Sequence, residues 1–244
     1  MRLVDTHAHV DELIDLDGAI ERARIKGVTA VVAVGASLAV NTKILEIAQE
    51  HPDFIYPAIG IHPAEAEAAS DEALRFIDEN ADACAAIGEI GLDYSYRVDK
   101  DLQKAVFKKM LEVAERHDKP VSLHSRYAWD EVLSCVLDKE IRRGVFHWYT
   151  GPLETLEKIL DCGYLVSATP AIEYSMKHRE AIERAAVESI LLETDTPVKY
   201  RGVTSEPSHV IRVADAVAEI KNLTVKRLAE ITTSNACKLF GLQF

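Results

Sequence analysis

The sequence predicts a single (β/α)8 barrel of the TIM type, one domain over residues 1–244, finished by a C-terminal helix. Three observations carry that prediction. Eight short apolar runs alternate with stretches of helical period along the chain. The runs are near-continuously apolar rather than alternating, the pattern of parallel strands covered on both faces. Histidines and carboxylates directly follow several of the runs, and a barrel gathers its strand ends at one mouth. An open, doubly wound sheet is the second choice for the same alternation.

The predicted strands are 2–6, 28–34, 54–59, 84–87, 121–123, 144–146, 164–168 and 189–192. Helical stretches are expected at 38–50, 71–80, 102–116, 131–137, 153–161, 179–186 and 208–220. The clearest, 102–116, turns Leu102, Val106, Met110, Leu111, Val113 and Ala114 to one broad side and its lysines to the other. Pro120 then opens strand five. Thr224 reads as the N-cap of a final helix running to about Phe240, with Gly241 near its end. No linker or low-complexity segment interrupts the alternation, which is why one domain is expected.

With 48% apolar and 28% charged residues, the chain can bury a sizeable core and stay soluble. No apolar run is long enough to span a bilayer. Met1 leads straight into the first strand, so no signal peptide and a cytoplasmic location are expected. The four cysteines are widely spaced, with no C-x-x-C pair, and read as small buried apolar residues in a reducing compartment. The net charge of −12 argues against wide, non-specific wrapping of nucleic acid, which needs a basic footprint. It does not exclude a phosphate-bearing substrate, because two divalent ions would reverse the charge of one pocket.

The chemistry-bearing residues sit at the strand ends. His7 and His9 follow strand one, Glu89 strand four, His124 strand five, His147 strand six and Asp195 strand eight. Alternate residues of a strand share a face, so His7 and His9 can both turn to the barrel axis with Ala8 pointing away. A lone histidine near a strand end is usually a satisfied polar residue. Four imidazoles and two carboxylates converging on one mouth are instead the donors that hold a pair of divalent metals. His62 lies at the same face, whereas His51, His117 and His178 fall in or beside helices and read as surface residues. Some binuclear barrel hydrolases bridge their metals with a carbamylated lysine on strand four. Residues 84–91 contain no lysine, and Glu89, between Gly88 and Gly91, is the natural bridge.

In order along the chain, these motifs resemble the TatD family of metal-dependent deoxyribonucleases, within the amidohydrolase superfamily. The resemblance rests on D-T-H-A-H at 5–9, G-I-H-P at 60–63, G-E-I-G-L-D-Y at 88–94 and P-V-S-L-H-S-R at 120–126. It continues with F-H at 146–147, L-E-T-D-T-P at 192–197, Asn235 and L-F-G at 239–241. It implies one metal held by His7, His9, Glu89 and Asp195 and a second by Glu89, His124 and His147. The ions would be zinc, manganese or magnesium. A metal-activated water would attack phosphorus, with Asp195 able to take its proton. His62 would contact phosphate, Arg126 would add a guanidinium suited to a bidentate grip, and Asp93 and Tyr94 would orient a ligand or shape the mouth.

The chain departs from the family pattern at Trp148-Tyr149-Thr150, where a Cys-Phe-Ser-type run is commoner, and at Glu206-Pro207, where Asn-Pro is. Both departures are expected at the mouth and bear on substrate choice. Trp148 and Tyr149 either stack on a base or pack on the rim, and 199–201 either touch phosphate or are solvated. The implied activity is hydrolysis of DNA phosphodiesters from an end. The competing readings are a small-molecule amidohydrolase or deaminase, an aminoacyl-tRNA ester hydrolase, and a non-enzymatic metal scaffold. The barrel alone does not choose among them.

Overall fold

The structure is a computed structural model describing residues 1–243. The strands are β1 (Leu3–Ala8), β2 (Val28–Val34), β3 (Ile55–Ile59), β4 (Ala86–Asp93), β5 (Val121–Arg126), β6 (Gly144–Phe146), β7 (Leu165–Ala168) and β8 (Ile190–Leu192). They pair in parallel in chain order. The ring comes together just beyond the strand ends. Ala8 bridges Thr196, the His9 N–H donates to the Thr196 carbonyl at 2.8 Å, and the Asp195 N–H donates to the His7 carbonyl at 2.9 Å. This is the expected TIM barrel, and its closure places His7, His9 and Asp195 side by side.

The surrounding helices are α1 (Leu16–Ile25), α2 (Leu38–Glu50), α3 (Asp71–Asn80), α4 (Lys100–Arg116), α5 (Trp129–Asp138), α6 (Leu153–Asp161), α7 (Met176–Arg184), α8 (Val210–Ile220) and α9 (Val225–Phe240). Side-chain caps open six of them: Asp15, Ser37, Ser70, Asp99, Ser175 and Thr224 each accept a first-turn backbone N–H. Gly241, left-handed at φ 68°, ends α9. A small apolar cluster joins Val4, Ala58, Ala86, Val145 and Leu191 to Leu239 and Phe240 of α9. Val4, Ala86, Val145 and Leu191 lie at or near their strand starts, and Asn235 of α9 donates to the Val187 and Ile190 carbonyls, just before and at the start of β8, so α9 covers the barrel at the end opposite the mouth.

Several boundaries differ from expectation. β4 and β5 run on to Asp93 and Arg126, so Glu89 and His124 lie within strands. A register shift between Ile87 and Ile90 takes Glu89 out of the β4–β5 ladder. α1 had no counterpart in the sequence reading, because Gly18 and its many charged residues weaken the helical signal. After β8 comes an unexpected hairpin, β9 (Lys199–Tyr200) with β10 (Val203–Thr204). Its turn residues Arg201 and Gly202 have φ of 50° and 84°, as a two-residue hairpin turn requires. Cys162 is exposed, against the expectation that all four cysteines are buried; Cys84 and Cys135 are buried and Cys237 is intermediate.

His178 is also corrected. It is fully buried rather than on the surface. The Thr169 backbone N–H donates to its Nε2 at 3.0 Å, which leaves Nδ1 to donate to the Tyr149 carbonyl at 2.9 Å. The ring thus ties the segments after β6 and β7 to α7. His51 and His117 are half-buried and face the carboxylates of Asp17, and of Asp78 and Asp82.

Candidate metal centre and active site

Glu89 is the centre of the mouth. It is 2% exposed, and its two carboxylate oxygens face different partners. Oε2 lies 3.4 Å from His7 Nε2 and 3.5 Å from His9 Nε2. Those imidazoles are in turn 3.8 and 3.5 Å from Asp195 Oδ1. Oε1 lies 2.6 Å from His124 Nδ1 and 2.9 Å from His147 Nε2. One carboxylate therefore stands between two donor groups, His7–His9–Asp195 on one side and His124–His147 on the other.

Local structure fixes this arrangement. The Glu89 N–H donates to the Gly35 carbonyl at 2.9 Å, holding the displaced residue to the segment that follows β2. Gly91 sits at φ 145°, and a Cβ there would come within 1.9 Å of the His124 carbonyl. Only glycine lets β4 pass so close to the strand that carries His124. Asn41 clamps the chain before His62, donating to the Gly60 carbonyl at 2.8 Å and accepting its N–H at 3.1 Å.

A further shell of groups orients the imidazoles. Asp93, fully buried, takes His124 Nε2 at 2.8 Å while also accepting from the Ser95 N–H and hydroxyl. This leaves Nδ1 of His124 facing Glu89. His7 Nδ1 meets the buried Ser122 hydroxyl at 3.2 Å. Glu193, which sequence reasoning passed over, lies 3.4 Å from His147 Nδ1 and accepts the Trp148 N–H at 3.1 Å. Asp5 accepts the Thr194 N–H and hydroxyl at 2.9 and 2.5 Å; burial pushes its pKa up to about 8. Both were masked by their motifs, where a carboxylate two residues from a metal-type residue carries no separate signal. Carboxylates that face an imidazole nitrogen, here Asp93 and Glu193, set the ring's orientation and basicity.

The electrostatics keep the carboxylates of this cluster ionised beside positive neighbours. Burial opposes ionisation of Glu89, yet His147, His62, His7 and His124 hold its pKa well below the usual carboxylate range. Burial likewise opposes charge on His9, but its hydrogen bond to Asp195 and the charges of Glu89 and Asp195 raise it to about 9. The Nε2 of His7 is buried with no hydrogen-bond partner; its approach to Glu89 is within ion-pair range but lacks hydrogen-bond geometry. An orphaned imidazole nitrogen beside two ionised carboxylates fits a divalent cation, since borderline metals accept imidazole and carboxylate together.

His62 behaves differently from the other four imidazoles. Its Nδ1 accepts the Ala64 N–H at 3.1 Å, and burial pushes its pKa down to about 4. The ring is therefore neutral, with the proton on Nε2. That nitrogen lies 3.3 Å from His124 Nδ1 and 3.7 Å from Glu89 Oε1. Distance alone would group it with Glu89 and His124 as a metal donor. An Nε2–H instead suits donation to a substrate oxygen.

Above these residues opens a cavity of about 670 Å³, lined among others by His9, His62, Tyr96, Arg126, Trp148 and Tyr174. Arg126 is exposed at its rim. Trp148 lines the cavity with its ring centre 5.6 Å from that of Tyr200. Tyr149 is fully buried and donates to the Pro152 carbonyl at 2.7 Å, so it packs and meets no ligand. Glu206 turns away to Arg22 of α1, at 2.9–3.1 Å, and does not line the cavity; its departure from the family pattern is a tie between elements. Lys199 and Arg201 belong to the hairpin, with Arg201 5.1 Å above the Tyr174 ring.

The profile of the family described as TatD related DNase matches residues 4–241. The chain belongs to the TatD family. It is 35% identical to the uncharacterized metal-dependent hydrolase YabD of Bacillus subtilis, over 98% of this chain and 99% of that one. It is 30% identical to the deoxyribonuclease TATDN3 of Homo sapiens, over 98% and 94%. Among solved structures it superposes on the TatD homologue YJJV of Escherichia coli with a TM-score of 0.93 at 27% identity, covering 99% and 98% of the two chains. As a TatD-family protein the chain is a metal-dependent hydrolase. Among the described residues no helix is long and apolar enough to cross a membrane.

Proposed function

We infer that this protein is a divalent-metal-dependent phosphodiesterase that hydrolyses DNA from a free end, with residues 1–244 acting as one domain. The observation that carries the reading is the position of Glu89, one oxygen toward His7 and His9 and the other toward His124 and His147. In this reading His7, His9, Glu89 and Asp195 hold one ion, and Glu89, His124 and His147 hold the other. Zinc, manganese and magnesium all suit the donor set. When bound, the pair supplies Lewis-acid activation of water and neutralises charge building on the phosphoryl group.

The remaining steps belong to the protein. Asp195 takes the proton released as water oxygen bonds to phosphorus, and the P–O bond to the leaving alkoxide breaks. His62 donates from Nε2 to a phosphoryl oxygen. Arg126 grips another from the rim, where its planar fork matches phosphate. The DNase name borne by the family and by the human relative supports DNA as substrate. A cavity of about 670 Å³ is the size of a small-molecule site and suits a strand end rather than the body of a duplex. No observation favours the amide, deaminase or aminoacyl-ester readings over this one.

The test is an assay on end-labelled single-stranded DNA, with protein stripped of metal and reloaded with Mg²⁺, Mn²⁺ or Zn²⁺. Metal-dependent trimming from one end is expected, and it should be abolished in a folded Glu89→Ala variant. Full turnover by Glu89→Ala would remove the bridging role. Hydrolysis confined to amide or aminoacyl-ester substrates would overturn the phosphodiester reading.

A further inference from the structure

The cavity over Glu89 does not end at its rim. Thr150 lines both it and an adjoining groove of about 240 Å³, whose walls include Trp129 at the start of α5, Leu153 of α6, and Lys177 and Glu180 of α7. The loop from β5 to α5 runs along the border between the two and sets three planar groups in sequence. Arg126, which lines the cavity, has its guanidinium 5.8 Å from the Tyr127 ring centre. Tyr127 meets Trp129 edge-on at 5.8 Å between centres. Trp129 lines the groove.

Tyr127 is the unusual member. Its backbone is left-handed at φ 57°, a region that bulky residues avoid. Its side chain does not repay that cost by packing, because the residue is 62% exposed. Backbone outliers of this kind collect at ligand clamps. Beside it, the Trp129 ring gives the groove an aromatic wall. Lys177 is exposed and has no carboxylate in ion-pair range among the described residues. Sequence-tolerant binding of single strands uses this combination of aromatic faces for bases and nearby cations for phosphates.

We propose that Tyr127, Trp129 and Lys177, with Thr150 at the threshold, form a second nucleotide subsite that carries a single strand of DNA away from the phosphodiester held over Glu89. The proposal rests on the phosphodiesterase reading. A base stacks on the exposed Tyr127 ring, and the Lys177 ammonium meets the phosphate that follows.

The test compares two substrates in the manganese-loaded enzyme. Bis(p-nitrophenyl) phosphate occupies the cavity alone, and a single-stranded octadeoxythymidylate reaches the groove. Tyr127→Ala should raise KM for the octamer by roughly 5- to 100-fold, the range of one lost base stack, while Tyr127→Phe retains the wild-type value. Lys177→Ala should raise it in the same direction. Neither alanine variant should change kcat or KM for the small ester. Anisotropy of fluorescent octamer on metal-stripped protein should show the same order of affinities without turnover. Wild-type octamer kinetics and affinity in both alanine variants would overturn the subsite while leaving the phosphodiesterase reading intact. So would equal losses on both substrates. A wild-type enzyme that cleaves neither substrate would instead sink the phosphodiesterase reading, and the subsite with it.

Discussion

Asp93 shows how much of the site depends on residues that need not touch a substrate. It is buried at the end of β4, held by the Ser95 N–H and hydroxyl, and takes the Nε2 of His124 at 2.8 Å. Its charge is kept because burial is outweighed by the hydrogen bonds from His124 and Ser95. Asp93→Asn should keep the fold but lose the anionic partner that fixes this ring. A fall of about 10- to 100-fold in metal affinity or activity is expected, measured by metal titration and by turnover. An unchanged affinity would mean that His124 is oriented by Glu89 alone. The residues that converge at the mouth were legible in the sequence, because His7, His9, Glu89, His124, His147 and Asp195 are types seldom found together after strands. Glu193 and Asp5 were not, since their roles come from burial and from facing His147 and Thr194 across the barrel. His62 shows the other limit: its position was legible, but its tautomer is set by the Ala64 N–H.

At the scale of elements, the pattern of apolar runs located all eight strands, and β2, α2, α3 and α6 have the bounds the periodicity predicts. β4 and β5 extend past their apolar runs because Gly88, Gly91 and polar side chains interrupt the pattern at the mouth without ending the strands. α7 misled in a different way. Its only buried apolar residues are Ala181 and Ile182, too short a stripe to stand out among the charged residues, and His178 lies one turn earlier on the same inward face, bonded to the segments after β6 and β7. Burial, ahead of the opposing Tyr149 hydrogen bond and Glu193 charge, holds its imidazole below the ordinary histidine range. The folded state therefore keeps His178 neutral at pH values where the unfolded chain, with a pKa of about 6.5, already binds a proton. Its contribution to stability is present above about pH 6.5 and is lost as pH falls below that value. His178→Ala should cost about 2–5 kcal/mol, from the cavity and two unmatched backbone groups. It should also flatten the wild-type loss of stability between neutral and mildly acid pH, as read by denaturant titration across that range. An undiminished acid slope in the variant would assign it to other groups.

For the whole molecule, the barrel's closure brings strands one, four, five, six and eight to one mouth, and with them two buried ionised carboxylates, Glu89 and Asp195. Cations that bind only the folded chain must stabilise it. Saturating divalent metal at about 100 times its dissociation constant adds about 2.7 kcal/mol. For a chain of this size that is roughly 5–10 °C in Tm. Chelation should therefore lower Tm by that order and re-addition should restore it, whereas Glu89→Ala should show little response. A Tm indifferent to chelation in metal-loaded wild-type protein would mean that the cluster is not the binding site. Under the proposed function, cations bound at this mouth would concentrate positive charge at one pocket rather than spread it as a basic face, which reconciles a net charge of −12 with a polyanionic substrate.

The central claim is that Glu89 bridges two metal ions. The most direct measurement is an anomalous-difference map from crystals of the manganese-loaded protein. The account predicts two peaks flanking the Glu89 carboxylate, one among His7, His9 and Asp195 and one between His124 and His147, both absent in Glu89→Ala. A single peak, or a pair that persists when Glu89 is removed, would contradict it.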